Sequence, residues 1–210
     1  MKLILLRHAE SHHSHQHRIA DIHGCHGLTP HGIVQAHELA ARLHRTNEFH
    51  ACTTLLCSPV PRAQQTVDVI RAVTPLPPVQ LDPDLRELLP GVADGLTWDD
   101  YRTRYGSFDF IREPDRPFAP DGESWTQFMV RIDATLNRFA TQYPQQTVVA
   151  VTHAGFIVGA LLTLFAIPRP GTGTRFEPKY TSLTVWQQGD GHWQLERYND
   201  AWHLEHPPDT

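Results

Sequence analysis

Two arginines and two histidines in this chain follow short apolar segments, and their side chains suit the chemistry of phosphate. Arg7 and His8 come directly after one apolar run, Arg62 follows a second, and His153 comes at the end of a third. A guanidinium group can donate paired N–H groups to two phosphate oxygens, and a neutral histidine can act as a nucleophile near pH 7. Each residue alone carries little weight, but together they could bind a phosphoryl group and accept it.

The apolar runs before these residues are predicted to be β-strands buried on both faces of a sheet. Each run is short and bounded by polar residues, which is typical of parallel strands. Because ligands bind beyond the carboxyl ends of parallel strands, we expect His8 and His153 to meet at one edge of the sheet. Gly155, at the start of the next predicted helix, would let a backbone N–H approach an anion there. The predicted strands are residues 2–6, 53–57 and 147–152.

Helix signals alternate with these strands. Thr29 followed by Pro30 has the pattern of a helix start, and Ser124 with Gln127 matches a capping box. This alternation predicts a single α/β domain over residues 1–210, built as a three-layer sandwich. A largely parallel sheet would have helices on both faces, and residues 90–140 would form a small helical cap. The predicted helices are residues 30–45, 59–71, a short helix after 97, 124–142 and 156–165, and residues 181–187 and 192–198 are predicted to form a hairpin.

Composition narrows the possible partners. A formal net charge of −5 gives no basic surface of the kind that binds nucleic acid, so no such partner is predicted. The N-terminal apolar run is too short for a membrane span or a signal peptide, so no membrane partner is predicted. Three cysteines (Cys25, Cys52 and Cys57) do not make an even disulfide framework, and a reducing cytoplasm is the expected location. The oligomeric state is left open.

Histidine is unusually frequent, with 15 residues, and six of them lie between His12 and His26. One interpretation is a metal site in which these histidines act together with Cys25. Their spacing matches no closed zinc pattern, however, so a solvated loop over the mouth of the active site is favoured and no metal ligand is predicted.

Several segments, taken in order, resemble the signature motifs of the histidine phosphatase superfamily, which includes the cofactor-dependent phosphoglycerate mutases. The resemblance spans about residues 3 to 204, and it is the joint order of the segments that makes it specific. The segments are LLRHAES (5–11), LTPHGIVQA (28–36), SPVPRAQQT (58–66), LRELLPGVADG (85–95), GES (122–124), VTHAG (151–155), and Asn199-Asp200 with His203-Leu204.

The resemblance implies a role for each matching residue. His8 would be the nucleophile and form a phosphohistidine, and Glu87 would protonate the leaving oxygen and later activate water. Ser14 stands where many members carry a phosphate-contacting Asn, which implies either a weaker contact from a shorter donor or a different substrate. Arg7, Arg62 and His153 would bind the phosphoryl group and stabilise its charge in the transition state, so that His153 is expected to be catalytic as well. Ser14 and the backbone of Gly155 are the other expected phosphate contacts. No cofactor is expected, since the cationic side chains would supply the charge that a metal ion supplies elsewhere.

The function predicted from the sequence is hydrolysis of a small phosphorylated metabolite by a metal-independent phosphohydrolase of the histidine acid phosphatase type. One alternative is a phosphoglycerate mutase. It is disfavoured because residues 106–122 are short and lack the Arg-Arg-Ser-Tyr-like segment that mutases carry. The other alternative is a non-catalytic module that only binds phosphate groups. It is disfavoured because the residues expected to be central to catalysis are all present, namely Arg7, His8, Arg62, Glu87 and His153.

Overall fold

The computed structural model describes residues 1–168 and 175–206. Within these ranges the strands and helices alternate along most of the chain. The strands are β1 (Lys2–Arg7), β2 (Cys52–Cys57), β3 (Val79–Leu81), β4 (Thr147–Thr152), β5 (Leu183–Gly189) and β6 (His192–Asp200). The helices are α1 (His12–His15), α2 (Pro30–Thr46), α3 (Pro61–Arg71), α4 (Trp98–Tyr105), α5 (Trp125–Gln142), α6 (Ala154–Leu164) and α7 (Trp202–Glu205).

The six strands of the described chain form one sheet in the order β3-β2-β4-β1-β5-β6. Strands β3, β2, β4 and β1 are parallel, and the hairpin of β5 and β6 adds two antiparallel strands at one edge. In the pairing of β1 with β4, Arg7 lies opposite Thr152, so the two strands end at the same level. Residues that follow these strands are therefore neighbours, and the N–H of His8 donates to the carbonyl of Thr152 at 3.0 Å.

Side chains that alternate along β1 fill two cores on opposite faces of the sheet. Leu3 and Leu5 face a cluster that includes the apolar sides of α5 and α6, while Ile4 and Leu6 face a cluster that includes α2 and α3. Each of these four side chains is at most 2% exposed, as expected for a strand covered on both faces. The predicted three-layer α/β sandwich with a largely parallel sheet is thus confirmed.

The cap is narrower than the predicted range of 90–140. Helix α5 begins with a capping box at Ser124 and packs Phe128, Ile132 and Leu136 against the sheet, so it belongs to the sandwich. The cap consists of the segment before it, in which Tyr101 of α4 and Phe118 form a small separate core with Ile19 and other apolar residues. Among the helices of the described chain, none combines the length and apolar composition needed to cross a lipid bilayer.

Candidate active site

His8 follows β1 directly and is 3% exposed. Its Nδ1 lies 2.7 Å from the carbonyl oxygen of Ala9. Because a carbonyl oxygen can only accept, Nδ1 carries the proton and Nε2 carries the lone pair. The Nε of Arg62 donates to this Nε2 at 3.1 Å. Burial, followed by the nearby Arg62 and Arg7, lowers the pKa of His8 well below its ordinary value. The ring is therefore neutral at pH 7, with its nucleophilic nitrogen beside a guanidinium group.

Arg62, in the first turn of α3, lies between two imidazoles and is 2% exposed. Besides its bond to His8, it donates from one terminal nitrogen to Nδ1 of His153 at 3.0 Å and from the other to the carbonyl of Ala20 at 2.9 Å. The Nε2 of His153 must then carry the proton, which it donates to Oγ of Ser58 at 2.8 Å. Burial, with Arg62 next in size, lowers the pKa of His153 well below its ordinary value.

Arg7, the last residue of β1, is held by two residues of the segment before β5. Its guanidinium carbon lies 3.9 Å above the ring of Tyr180, and one terminal nitrogen donates to the carbonyl of Pro178. The hydroxyl of Tyr180 donates to Oγ of Ser14 at 2.8 Å. Ser14 keeps its own hydroxyl proton and lines the cavity in front of the site, so it can still donate to an oxygen there.

Glu87 is oriented by two backbone amides. Its carboxylate accepts from the N–H of Gly155 at 2.8 Å and from its own neighbour Leu88 at 3.1 Å. The N–H of Gly155, predicted to face the phosphoryl group, is thus bonded to Glu87 instead. A Cβ at position 155 would lie 2.1 Å from a carboxylate oxygen of Glu87, so the glycine is what allows this close approach. Gly155 acts in this structure as a positioning residue for the predicted acid.

An ion pair between Arg131 and Glu123 holds the backbone that carries Glu87. Arg131 of α5 donates to the carbonyl of Glu87 at 3.1 Å and forms a paired hydrogen bond, 2.7 Å at each oxygen, with the carboxylate of Glu123. The same carboxylate accepts from the N–H of Leu89 at 3.0 Å. The structural role of the GES segment is therefore to clamp the segment around Glu87.

The loop after β1 is fixed by residues of the LTPHGIVQA segment. Thr29 donates to a carboxylate oxygen of Glu10 at 2.6 Å, and Gln35 accepts from the N–H of Glu10 at 2.9 Å. A Cβ at Gly32 would lie 2.0 Å from the carbonyl oxygen of Glu10, so the first turn of α2 packs directly on this loop. These contacts hold the backbone that begins at His8.

The histidine tract is partly ordered against the site. His13, in the short helix α1, has its ring centroid 6.3 Å from that of His8 and lines the cavity. Burial, then Arg62 and Arg7, lowers the pKa of His13 to about 3. Farther along, the carboxylate of Asp94 accepts from the backbone amides of Asp21, His23 and Gly24 and ties down this part of the loop. Within the described residues, no group of three or more histidine, cysteine or acidic side chains could hold a metal ion.

The positive charge of the two site arginines is not balanced by ion pairs. Neither Arg7 nor Arg62 forms an ion pair with a carboxylate within residues 1–168 and 175–206, and their hydrogen-bond partners are carbonyls and imidazoles. Burial lowers the pKa of Arg7, although the field of Glu87 partly opposes this. Arg62 is buried and Arg7 is half-buried, and neither has a carboxylate partner, so together they make a strong site for a bound anion, because such charge is costly until it is paired.

The structure shows where the residues predicted from the sequence lie, and it adds supports that sequence reasoning missed. Arg62 bonds both His8 and His153, Arg7 directly precedes His8, and Glu87 and Ser14 line the cavity that Arg62 also lines. It was not expected that both ring nitrogens of His153 would have protein partners. The residues missed were Ser58, Tyr180, Arg131 and His13. Ser58 and His13 stood inside segments already singled out, whereas nothing in the sequence pointed to Tyr180 or Arg131.

Comparison with known proteins identifies the family. The family model of the histidine phosphatase superfamily (branch 1) matches residues 3–201, and the chain therefore belongs to this superfamily. The resemblance found in the sequence is confirmed.

Two similar proteins match most of the chain at low identity. Phosphoglycerate mutase-like protein 4 of Arabidopsis thaliana is 27% identical over 209 residues, which is 97% of this chain and 87% of the relative. The adenosylcobalamin/alpha-ribazole phosphatase of Escherichia coli (strain K12) is 26% identical, with 80% of this chain and 81% of the relative covered. Among solved structures, Bacillus stearothermophilus YhfR matches with a TM-score of 0.82 at 23% identity and covers 97% of this chain and 98% of its own, which shows the same fold.

Proposed function

We propose that this protein hydrolyses a phosphomonoester by transferring the phosphoryl group first to His8 and then to water. The observation that carries the proposal is the state of His8, a buried neutral imidazole whose Nε2 lone pair accepts a hydrogen bond from Arg62, an arginine without a carboxylate partner, while the charge of Arg7 also helps to lower the pKa of the ring. Membership of the superfamily and the similarity to the alpha-ribazole phosphatase of Escherichia coli support phosphatase chemistry. A metal-independent phosphoserine phosphatase of Arabidopsis thaliana, 27% identical over 177 residues, covering 82% of this chain and 71% of the relative, supports it further.

In the first step, Nε2 of His8 attacks phosphorus as the bond from phosphorus to the ester oxygen breaks. The N–H of Arg62 that now bonds Nε2 would pass to a phosphoryl oxygen, and Arg7 would bond another. Charge on the equatorial oxygens is stabilised where these donors are already held in place. The leaving oxygen takes a proton from the carboxyl group of Glu87, so the alcohol departs neutral.

In the second step, water attacks the phosphohistidine on the side that the alcohol has left. The carboxylate of Glu87 takes a proton from this water, the bond from nitrogen to phosphorus breaks, and inorganic phosphate and neutral His8 are regenerated. His153 would contact a phosphoryl oxygen through Nδ1 after taking up a proton, which the arriving anion favours. Its bond to Ser58 would meanwhile hold the ring in place.

The substrate is proposed to be a small phosphorylated metabolite. No metal enters either step, because arginine and histidine side chains supply the positive charge. A panel of phosphorylated metabolites that includes alpha-ribazole 5'-phosphate and phosphoserine would define the preference.

The central experiment replaces His8 and follows phosphate release together with trapping of the intermediate. His8→Ala is expected to abolish turnover while the protein stays folded, whereas His37→Ala, an exposed histidine in the middle of α2, is the matched control. A phosphohistidine is hydrolysed in acid and is stable in base. The intermediate should therefore be trapped from wild-type turnover with an alkaline quench. Activity should persist after exhaustive treatment with EDTA.

Three results would reject parts of the proposal. Normal turnover by His8→Ala would remove the covalent step. Loss of activity in EDTA with recovery on adding one metal would remove metal independence. Exchange of a phosphoryl group between two hydroxyls of phosphoglycerate, without release of phosphate, would indicate a mutase.

The role of Glu87 can be tested through the identity of the leaving group. Glu87→Gln should damage hydrolysis of an alkyl phosphate by about 10² to 10⁴-fold and that of nitrophenyl phosphate much less, because a nitrophenolate needs little protonation. Arg62→Ala should slow both, since it holds the phosphoryl group whatever departs. Equal losses for Glu87→Gln across a series of leaving groups would show that Glu87 only braces the pocket.

A further inference from the structure

The cavity in front of the site has two chemically different halves. Its volume is about 470 Å³. One half contains the groups that would handle a phosphate ester, namely Arg62, Glu87, Ser14 and the imidazole of His13. The other half is built by the cap and the start of α5, and six aromatic side chains line it. These are Trp98, Phe108, Phe110, Phe118, Trp125 and Phe128.

The residues from Leu88 to Phe128 give the second half an uncharged lining, since every described residue of this stretch that lines the cavity is apolar. Arg18 also lines the cavity and lies beside Trp98, because residue 18 pairs with Thr97 in an isolated β-bridge. It donates one N–H to the carbonyl of Gly95 at 2.8 Å, and its other N–H groups could bind an anion at that end. A carboxylate or a second phosphate held against Phe110 and Trp125 would instead lose its water without a charged partner from this stretch, which is unfavourable.

The rings are not explained by the cap core alone. Phe118 is needed there, since it stacks on Tyr101 with centroids 4.4 Å apart. Phe110, in contrast, belongs to none of the buried clusters of the described chain, and it stacks on Trp125 with centroids 4.5 Å apart and planes inclined by 30°. Both rings are only partly buried. Both line the cavity, and apolar side chains in a concave site are typical of ligand binding.

We propose that the preferred substrate is a phosphomonoester whose alcohol carries an aromatic ring or another apolar group of that size, bound against Phe110 and Trp125. This rests on the proposed hydrolysis and narrows its substrate class. The phosphoryl group would occupy the cationic half, and the ring would lie in the aromatic half beyond Glu87. Binding energy from this non-reacting ring can contribute to the rate when it is realised in the transition state.

The test compares two esters that differ in the ring but leave as alcohols of similar acidity. For 2-phenylethyl phosphate against ethyl phosphate, kcat/KM should be higher by about 10- to 100-fold, the gain expected from burying one ring. Phosphoserine, with a charged group in place of the ring, should be no better than ethyl phosphate. Because protonation of the leaving oxygen is nearly the same for both alcohols, the ratio isolates the pocket from the chemistry.

Variants place the preference in the proposed half of the cavity. Phe110→Ala should lower the ratio of the two kcat/KM values about fivefold or more, and Trp98→Ala, at a ring that is 36% exposed, should lower it in the same direction. The matched control is Phe165→Ala, an exposed phenylalanine just after α6 that contacts Trp186 and does not line this cavity. It should leave the ratio unchanged. A melting curve for each variant separates a lost pocket from a lost fold.

The proposal is overturned if ethyl phosphate or phosphoserine is hydrolysed as efficiently as 2-phenylethyl phosphate, or if the ratio survives both cap variants. Failure of hydrolysis itself is a separate outcome. If no ester is cleaved, titration calorimetry with 2-phenylethylphosphonate and ethylphosphonate still measures the pocket. Tighter binding of the first by tenfold or more, lost in Phe110→Ala, supports the pocket without catalysis, and equal binding rejects it.

Discussion

Arg42 and Arg62 are both almost fully buried, at 4% and 2% exposure, but their surroundings differ. Arg42 on α2 donates to the carboxylate of Glu48 at 2.8 Å and to both oxygens of Asp200 at 2.9 and 2.6 Å. Arg62 on α3 donates to two imidazoles and a backbone carbonyl. The first arginine has its charge balanced by protein, and the second does not.

Ionisation reflects the same difference. Burial alone would lower the pKa of Arg42, but the hydrogen bonds to Asp200 and Glu48 outweigh it and raise the pKa. The bond from Arg42 lowers the pKa of Asp200 to about 2. Around Arg62, burial and the arginine charge instead lower the pKa values of the two histidines His8 and His153. A balanced cluster of this kind stabilises the fold, whereas an unbalanced one is suited to bind an anion.

The largest effect should come from exchanging each arginine for glutamine. Arg62→Gln should lower kcat/KM about 10³-fold or more, because a donor to the transferred group is lost. Its free energy of unfolding should be unchanged or higher, since an unpaired buried charge is removed. Arg42→Gln should lose about 3 kcal/mol of stability, because the carboxylates of Glu48 and Asp200 lose a buried cationic partner. The loss should not be larger, since Arg197 still pairs with both carboxylates.

Denaturant unfolding and steady-state kinetics on the same preparations would check this pair, and each variant is the burial-matched control of the other. The folded fraction of Arg42→Gln should keep its kcat/KM. If Arg62→Gln is destabilised as much as Arg42→Gln, the contrast between the two clusters does not hold.

The next effect concerns acid stability. His203 is fully buried, and its Nε2–H donates to Thr181 at 2.8 Å. Burial, then Arg42, lowers the pKa of His203 to about 4 from an ordinary value of 6.5. The unfolded chain therefore takes up a proton below about pH 6.5 that the folded chain refuses until about pH 4, and stability falls as the pH falls through this window.

Replacing His203 should make the free energy of unfolding depend less on pH between pH 6.5 and pH 4. His203→Gln should reduce the loss of unfolding free energy between pH 6.5 and pH 4 by at most about 3 kcal/mol. Chemical unfolding at several pH values measures it. If the slope of unfolding free energy against pH is the same in the variant and the wild type, His203 is not held neutral. If the slope falls as expected, the part that remains in the variant should come largely from the site histidines.

The smallest effect is stabilisation by phosphate itself. An anion that binds only the folded state should raise the unfolding free energy by about 1.4 kcal/mol at ten times its Kd. The rise in melting temperature should persist in Arg42→Gln, whose cluster is already balanced, and disappear in Arg62→Gln. Sodium chloride at equal ionic strength controls for general salt effects, and equal shifts in both variants would place the bound phosphate elsewhere.

Much of the site could be predicted because its residues directly follow strands. His8 and His153 converge since parallel strands that pair in register end together, and Arg62 follows because α3 starts just beyond β2. Gly155 was assigned to the phosphoryl group because a helix start suggests an anion, but the anionic partner turned out to be the protein's own Glu87. Which anion a backbone amide meets depends on residues far apart in sequence.

The chain's sequence by itself determined the family and the order of most strands and helices, although not β3, α1 or α7, because these depend on local pattern. Residue type in that pattern also singled out five residues suited to phosphoryl chemistry, which are Arg7, His8, Arg62, Glu87 and His153. Tertiary structure decided which charges are paired. Asn199-Asp200 with His203 could be recognised as a family ending, but only the folded chain shows that Asp200 neutralises Arg42. It likewise places Tyr180 under Arg7 and the cap aromatics beside Glu87, since these contacts join segments that no local pattern connects.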